Sequence, residues 1–233
     1  YEWEGITNRK IIQEMAAIDG SLAVTLGAHQ SIGFKALALF GTEEQKKRYL
    51  PRLASGQLIA CYCLTEPGSG SDAASIKTRA TLTADGKYYS ITGNKLWITN
   101  GGISNFMTIF AKTEITEKGE KKDKVSCFLL ELPAEGVTVA PSEHKLGIRA
   151  SWTNAIYFDN VKVPVENIVG GLGQGFKVAM GVLNQGRMGL AAGSVGAAKN
   201  CLRASIEHAN ERVQFQKKIG EFGMVKEKIG RML

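Results

Sequence analysis

The sequence predicts an α+β protein: an N-terminal helical segment, a middle antiparallel β barrel or sandwich, and the start of a C-terminal helical bundle. Three observations carry this. Residues 8–56 place apolar side chains at helical spacing, and residues 57–165 break into short alternating segments separated by turn formers. Residues 173–233 return to helical spacing with a stripe of small residues. Because the strands form one block and do not alternate with helices, a doubly wound parallel sheet is not expected. The domain boundaries are read as 1–57, 58–172 and 173–233.

In the first block, Ile11, Ile12, Met15, Ala16, Ile18 and Asp19 follow a rough three-four spacing. Thr42-Glu43-Glu44-Gln45 matches a capping box, with Thr42 as N-cap and Gln45 reaching back. Pro51 and Gly56 punctuate the end. The predicted strands are Leu58–Leu64, Ala80–Thr83, Tyr88–Thr92, Leu96–Thr99, Met107–Lys112, Val125–Leu132, Val137–Ala140 and Ala155–Phe158. Asp85-Gly86 and Asn100-Gly101-Gly102 read as turns, and the sign-alternating run Glu117–Lys124 reads as a solvated hairpin tip. In the last block, Phe176, Val178, Ala179, Met180, Val182 and Leu183 open a helix. Gly189, Ala192, Gly193, Gly196 and Ala197 then recur at three and four, which lets another helix approach closely. The cost is about 1 kcal/mol of helix propensity per glycine. A second helix is expected after Gly220.

The chain has 233 residues and a formal charge of +7, from 29 Lys and Arg against 22 Asp and Glu. The basic residues are spread along the chain and mixed with acids, as in Glu43-Glu44-Gln45-Lys46-Lys47-Arg48, so nucleic acid is not an expected partner. A modest positive potential suits an anionic small ligand. There is no apolar run long enough for a membrane span, and Tyr1-Glu2-Trp3-Glu4 lacks the basic-then-apolar order of a signal peptide. With no initiator Met and an end at Arg231-Met232-Leu233 inside a helical pattern, the chain reads as an internal fragment of a longer protein. Of the four cysteines, Cys61 and Cys63 share one strand face, while Cys127 and Cys201 stand apart. Without a Cys-x-x-Cys pair, and with three His, no metal site is expected; buried reduced thiols of an intracellular protein are.

Gly170-Gly171-Leu172-Gly173-Gln174-Gly175 is not a dinucleotide fingerprint, because the third glycine is missing in either register and no βαβ unit surrounds it. No P-loop or nucleophile elbow occurs. Four stretches remain. Cys63-Leu64-Thr65-Glu66-Pro67-Gly68-Ser69-Gly70-Ser71-Asp72 follows a strand. Its glycines permit positive φ, so successive N–H groups can form an anion-binding nest, although the same residues also make ordinary turns. In Asn94-Lys95-Leu96-Trp97-Ile98-Thr99-Asn100-Gly101-Gly102, Trp97 and Thr99 lie on one strand face, as a wall for a planar ring or as part of a β core. Asn184-Gln185-Gly186-Arg187 sets an Arg among small residues, on the surface or against a phosphate or carboxylate. Arg212-Val213-Gln214-Phe215 sits near a helix end with the same two readings.

In order and spacing these stretches resemble the acyl-CoA dehydrogenase family over essentially the whole chain. Gly27–Lys35, Ser71–Ile76 and Gly175–Met180 are most similar to its very-long-chain branch. The resemblance implies FAD as cofactor, bound by Tyr62, Cys63, Leu64, Thr65, Glu66, Pro67, Gly68, Ser69, Gly70 and Ser71, by Trp97, Ile98 and Thr99, and by Arg212 and Gln214. In the family the last two typically reach the flavin of a neighbouring subunit. Val213 departs from the family pattern. The resemblance assigns the fatty acyl-CoA substrate to Ser71, Asn184 and Arg187. It implies α,β-dehydrogenation to the trans-2-enoyl-CoA, with electrons passed to an electron-transfer flavoprotein. A homodimer or homotetramer is implied, in a mitochondrion or a bacterial cytoplasm. The family's catalytic Glu is expected beyond Leu233, and Gly186 occupies the position where some members carry the base instead. A complex I assembly role and an acyl-CoA oxidase are the alternatives within the same resemblance.

Overall fold

The computed structural model describes residues 2–117 and 119–233; Tyr1, and Lys118 at the expected hairpin tip, lie outside the described residues. The chain forms two compact units, residues 24–187 and residues 1–23 with 188–233.

The larger unit is built on helices α3 (Lys35–Phe40) and α4 (Glu43–Ala54) and an eight-stranded sheet. The strands are β1 (Ala60–Cys63), β2 (Arg79–Leu82), β3 (Tyr88–Thr99), β4 (Phe106–Glu117), β5 (Glu120–Glu131), β6 (Val137–Ser142), β7 (Thr153–Pro164) and β8 (Ile168–Val169). The sheet order is β6-β7-β3-β2-β4-β5-β8, with β1 paired to β4. Most pairs are antiparallel, as expected. However, β1 and β2 each run parallel to β4, so the sheet is mixed. The long connection from β1 to β4 lets β1 return in the same direction, which a tight hairpin cannot do.

Side-chain alternation divides the core. Ala60, Tyr62 and Leu64 join Phe106, Phe110, Cys127, Leu129, Leu37 and Leu53 under the helices. Cys61 and Cys63 point the other way, among Met107, Ile109, Phe128, Leu130, Ile156 and Val161. Strands buried on both faces read as nearly continuous apolar runs. The expected segments Tyr88–Thr92 and Leu96–Thr99 are one strand, β3. Gly93 reads as a break because it takes φ 152° where Thr78 packs on it; a Cβ there would lie 2.5 Å from Thr78 Oγ1.

The capping box forms as predicted. Gln45 N donates to Thr42 Oγ1 at 3.1 Å, and Thr42 N donates to Gln45 Oε1 at 3.0 Å. Pro51 does not end α4, which runs on to Ala54; Gly56, at φ 77°, follows it. Between α2 (Gly20–Gly27) and α3, the segment Ala28–Gly33 is a π-helix, a rare form that clusters at functional sites.

The smaller unit contains α1 (Glu2–Ile18) and the later part of α5 (Gly175–Glu211). A hairpin of β9 (Val213–Gln214) and β10 (Lys217–Lys218) follows, and α6 (Gly223–Met232) starts just after the expected Gly220. Asp19 does not extend α1: its carboxylate accepts from Ser21 N at 2.7 Å and starts α2. The small-residue stripe receives α1, since a Cβ at Gly196 would stand 2.0 Å from Gln13 O. Cys201 is exposed on α5, against the expectation for buried thiols, whereas Cys61, Cys63 and Cys127 are buried. Among the described residues, no helix is long and apolar enough to cross a membrane.

Candidate functional site

The stretch after β1 folds back on itself. Glu66 N donates to Ser69 O at 2.9 Å and Ser69 N returns to Glu66 O at 3.1 Å, closing a turn over Pro67 and Gly68. Ser69 Oγ donates to Asp72 O at 2.5 Å. Neither Gly68 nor Gly70 takes positive φ, so the expected nest of alternating right- and left-handed residues is not formed. The reciprocal bonds already use the Ser69 N–H. What the glycines supply is open space, because a Cβ at Gly68 or Gly70 would meet nothing within 4 Å. Among the described residues, the N–H groups of Gly70 and Ser71 have no protein partner and remain available to a ligand.

The second wall is the end of β3. Pairing with β7 shifts register between Lys95 and Ile98, and Trp97 sits at φ 56°. The bulge falls at the start of the Trp97–Thr99 stretch, in which Ile98 is buried between an exposed Trp97 and a half-buried Thr99. Trp97 is 63% exposed, so its indole is a surface wall and not a core side chain. A non-glycine residue at positive φ costs about 1–2 kcal/mol, and such strain concentrates at functional sites.

Both walls meet the first turns of α5 around a cleft of about 400 Å³. Tyr62, Leu64, Thr65, Gly70, Ser71 and Ala73 line it on one side, and Trp97, Ile98 and Thr99 on another. Met180, Leu183 and Arg187, on one face of α5, and Ile32 from the π-helical segment complete it. Ile32, Ala73, Met180 and Leu183 are lining residues that the motifs did not single out. The spacing of Met180, Leu183 and Arg187 at i, i+3 and i+7 was the available signal.

Of the other expected site residues, Cys63 is fully buried in the strand core, and Glu66, Pro67, Gly68 and Ser69 form the turn behind the lining. Asn184 is exposed, and Arg187 Nη1 donates to its Oδ1. Gly186 touches the π-helical segment: a Cβ there would lie 2.9 Å from Ile32 Cγ2. Arg212 and Gln214 belong to the smaller unit, at the end of α5 and on β9.

Two polar anchors hold the segments that carry lining residues. His29 Nε2 lies 3.1 Å from Leu53 O, and Ala60 N donates to His29 Nδ1 at 2.9 Å, which fixes the start of β1. Burial holds the imidazole below its ordinary pKa, against the hydrogen bond to Leu53. Beneath the loop, Lys95 Nζ lies 2.8 Å from Glu66 Oε1, with the two side chains 0% and 5% exposed. Burial raises the Glu66 carboxyl pKa. The Lys95 ammonium and the backbone N–H of Lys77 more than offset that and hold it below the ordinary range. Burial lowers Lys95, partly countered by Glu66. Burial pushes the Tyr62 phenol up, and its hydroxyl donates to Ala179 O at 3.3 Å.

A mixed β domain between helices carries an aromatic-walled cleft, edged by free amides and an arginine, with the shape and donors that suit a planar, anionic ligand. Residues 4–57, 61–161 and 173–233 match the N-terminal, middle and C-terminal domain models of the acyl-CoA dehydrogenases. The chain belongs to the acyl-CoA dehydrogenase family. It is 49% identical to the human mitochondrial very long-chain specific acyl-CoA dehydrogenase, over 96% of this chain and 34% of that protein. It therefore spans about a third of that relative's length. The acyl-CoA dehydrogenase of Bacillus anthracis, solved in complex with FAD, superposes with a TM-score of 0.88 at 42% identity, covering 95% of this chain and 37% of that one. Butyryl-CoA dehydrogenase of Megasphaera elsdenii gives 0.89 at 38%, covering 95% and 57%.

Proposed function

We propose that this chain is the FAD- and acyl-CoA-binding part of a dehydrogenase. The whole protein would convert long- or very-long-chain fatty acyl-CoA to the trans-2-enoyl-CoA and pass the electrons to an electron-transfer flavoprotein. The observation that carries this is the convergence of three segments from distant parts of the sequence on one cleft: the Thr65–Ser71 loop, Trp97–Thr99, and the α5 face of Met180, Leu183 and Arg187. The cleft suits FAD: Trp97 offers a flat exposed face, Thr99 a hydroxyl, and Gly70 and Ser71 unpaired amides with no side chain in the way. FAD, when bound, supplies the acceptor for the hydride that leaves the substrate's β-carbon.

The chain's own groups bind and orient. Trp97 and Ile98 would pack against the ring, and Thr99 and the 70–71 amides would donate to its polar edge. Arg187, assisted by Asn184, holds the anionic CoA portion, and Ser71 faces the thioester region. Ile32, Leu64, Met180 and Leu183 exclude water from the acyl chain. Arg212 and Gln214 would hold FAD in an oligomer. None of the cleft-lining residues carries a carboxylate, so the α-proton acceptor comes from outside this lining set. The helical, β and helical domains divide at residues 57 and 172. The location is a mitochondrion if the source is eukaryotic, which the human relative's name supports, and the cytoplasm if it is bacterial.

The test is reconstitution. The chain mixed with FAD quenches flavin fluorescence, and Trp97→Ala weakens that binding without a matching loss of thermal stability. Anaerobic palmitoyl-CoA bleaches the flavin band of the longer protein and not that of the 233-residue chain. Failure of both to hold flavin would sink the reading, and bleaching by the chain alone would place the proton acceptor within it.

A further inference from the structure

Neither Lys95 nor Glu66 lines the cleft, yet the pair ties the lining's two walls together. Lys95 Nζ donates to Glu66 Oε1 at 2.8 Å and to Leu64 O at 3.1 Å. The Glu66 carboxylate also accepts from Lys77 N at 2.5 Å and Thr78 N at 3.0 Å. Next along β3, Leu96 N donates to Thr65 O at 2.9 Å. The buried charge pair thus joins Lys95 to the backbone at 64, 66 and 77–78, the Leu96–Thr65 backbone bond adds a second tie, and Trp97 follows directly.

Such a pair is a poor device for stability. Removing two charges from water costs several kcal/mol, and an apolar replacement of similar size is often neutral or better. What an ion pair does impose is direction and distance, because its hydrogen bonds close at one geometry. We propose that Lys95 and Glu66 are positioning residues that hold the Thr65 backbone at a set distance from Trp97, and so fix the width of the slot between the two walls. The inference rests on the flavin reading for the identity of the slot's occupant, and on the hydrogen-bond geometry alone for the tether.

The test compares wild type with Glu66→Gln/Lys95→Met, in which the glutamine carbonyl still accepts from Thr78 N–H and the methionine fills the lysine's volume. Glu66→Gln alone is the control for an unpaired charge: it leaves the Lys95 ammonium buried without a counter-charge and should melt lower than the double variant. The expected result has three parts. The double variant melts within about 4 °C of wild type. Amide exchange at Leu96 in the FAD-free protein speeds up by about tenfold or more. FAD affinity falls by about tenfold with an altered visible circular dichroism of the bound flavin. Unchanged exchange at Leu96 in the folded double variant would overturn the proposal. So would a collapse in melting temperature, which would make the pair a stabiliser. If exchange responds as expected but wild type binds no FAD, the tether stands and the flavin reading falls.

Discussion

Replacing Gly196 with Ala tests whether the small-residue stripe on α5 exists to admit α1. In an isolated helix the change is favourable by about 1 kcal/mol. Here the new Cβ would lie 2.0 Å from Gln13 O and 2.8 Å from Gln13 C. Both atoms are backbone, so no rotamer change relieves the clash and α1 itself must retreat. Overpacking of this kind costs about 1–3 kcal/mol. Taking its upper part against the propensity gain leaves a net loss of about 1–2 kcal/mol, or roughly 2–8 °C in melting temperature for a chain of this length. Gly189→Ala is the internal control. The same substitution on the same helix meets nothing within 4 Å, and should raise stability by up to about 1 kcal/mol. Gly193→Ala, whose Cβ would make ordinary 3.6 Å contacts with Ile12 and Ala16, should not destabilise. Thermal unfolding followed by circular dichroism measures all three. Changes of the same sign at Gly189 and Gly196 would refute the packing argument.

Three further outcomes are expected. Phe215 and Gln216 occupy the two-residue turn between β9 and β10 at φ 52° and 65°. Gln216→Gly removes strain at the second and should stabilise the hairpin by about 1 kcal/mol in the same assay. His29 should make stability pH-dependent. Its folded pKa lies below the ordinary 6.5 because of burial, so below that value the unfolded chain binds more protons. Stability contributed by neutral His29 is therefore complete above the unfolded value and declines as pH falls through it toward the folded one. Urea midpoints at pH on either side should differ more in wild type than in His29→Gln, and equal differences would count against the assignment. Thr42→Ala removes the cap of α4 and should cost about 1 kcal/mol, read as a shift in urea midpoint.

The parts of the fold legible in the sequence are those whose interactions are local. Alternation along residues 60–64 directed Tyr62 and Cys63 to opposite sides of β1 before any neighbour was known. Repeated small residues announced a close helix without naming α1. The candidate site was legible as motifs, because glycines, hydroxyls and an aromatic at those spacings are unusual together. Its lining was less so. Ile32 comes from a π-helical segment that apolar periodicity cannot distinguish from an ordinary helix. The role expected for Gly68 and Gly70 also changed, from backbone conformation to absent bulk.

Gln45 marks the division between the two levels. Its bond with Thr42 spans three residues, so the sequence by itself determined the capping box, as it determined the strand block, the motifs and the family. The same side chain's Nε2 also donates to Glu166 O and Ile168 O, at 2.7 and 2.9 Å. Those partners are more than a hundred residues away, and no local pattern points to them. Tertiary structure alone decided that contact, the parallel placement of β1 beside β4, the outward turn of Trp97 at its bulge, and the pairing of Lys95 with Glu66. Each depends on which distant backbone closes over a group once water has been excluded, and that energy is set by burial and geometry across the chain.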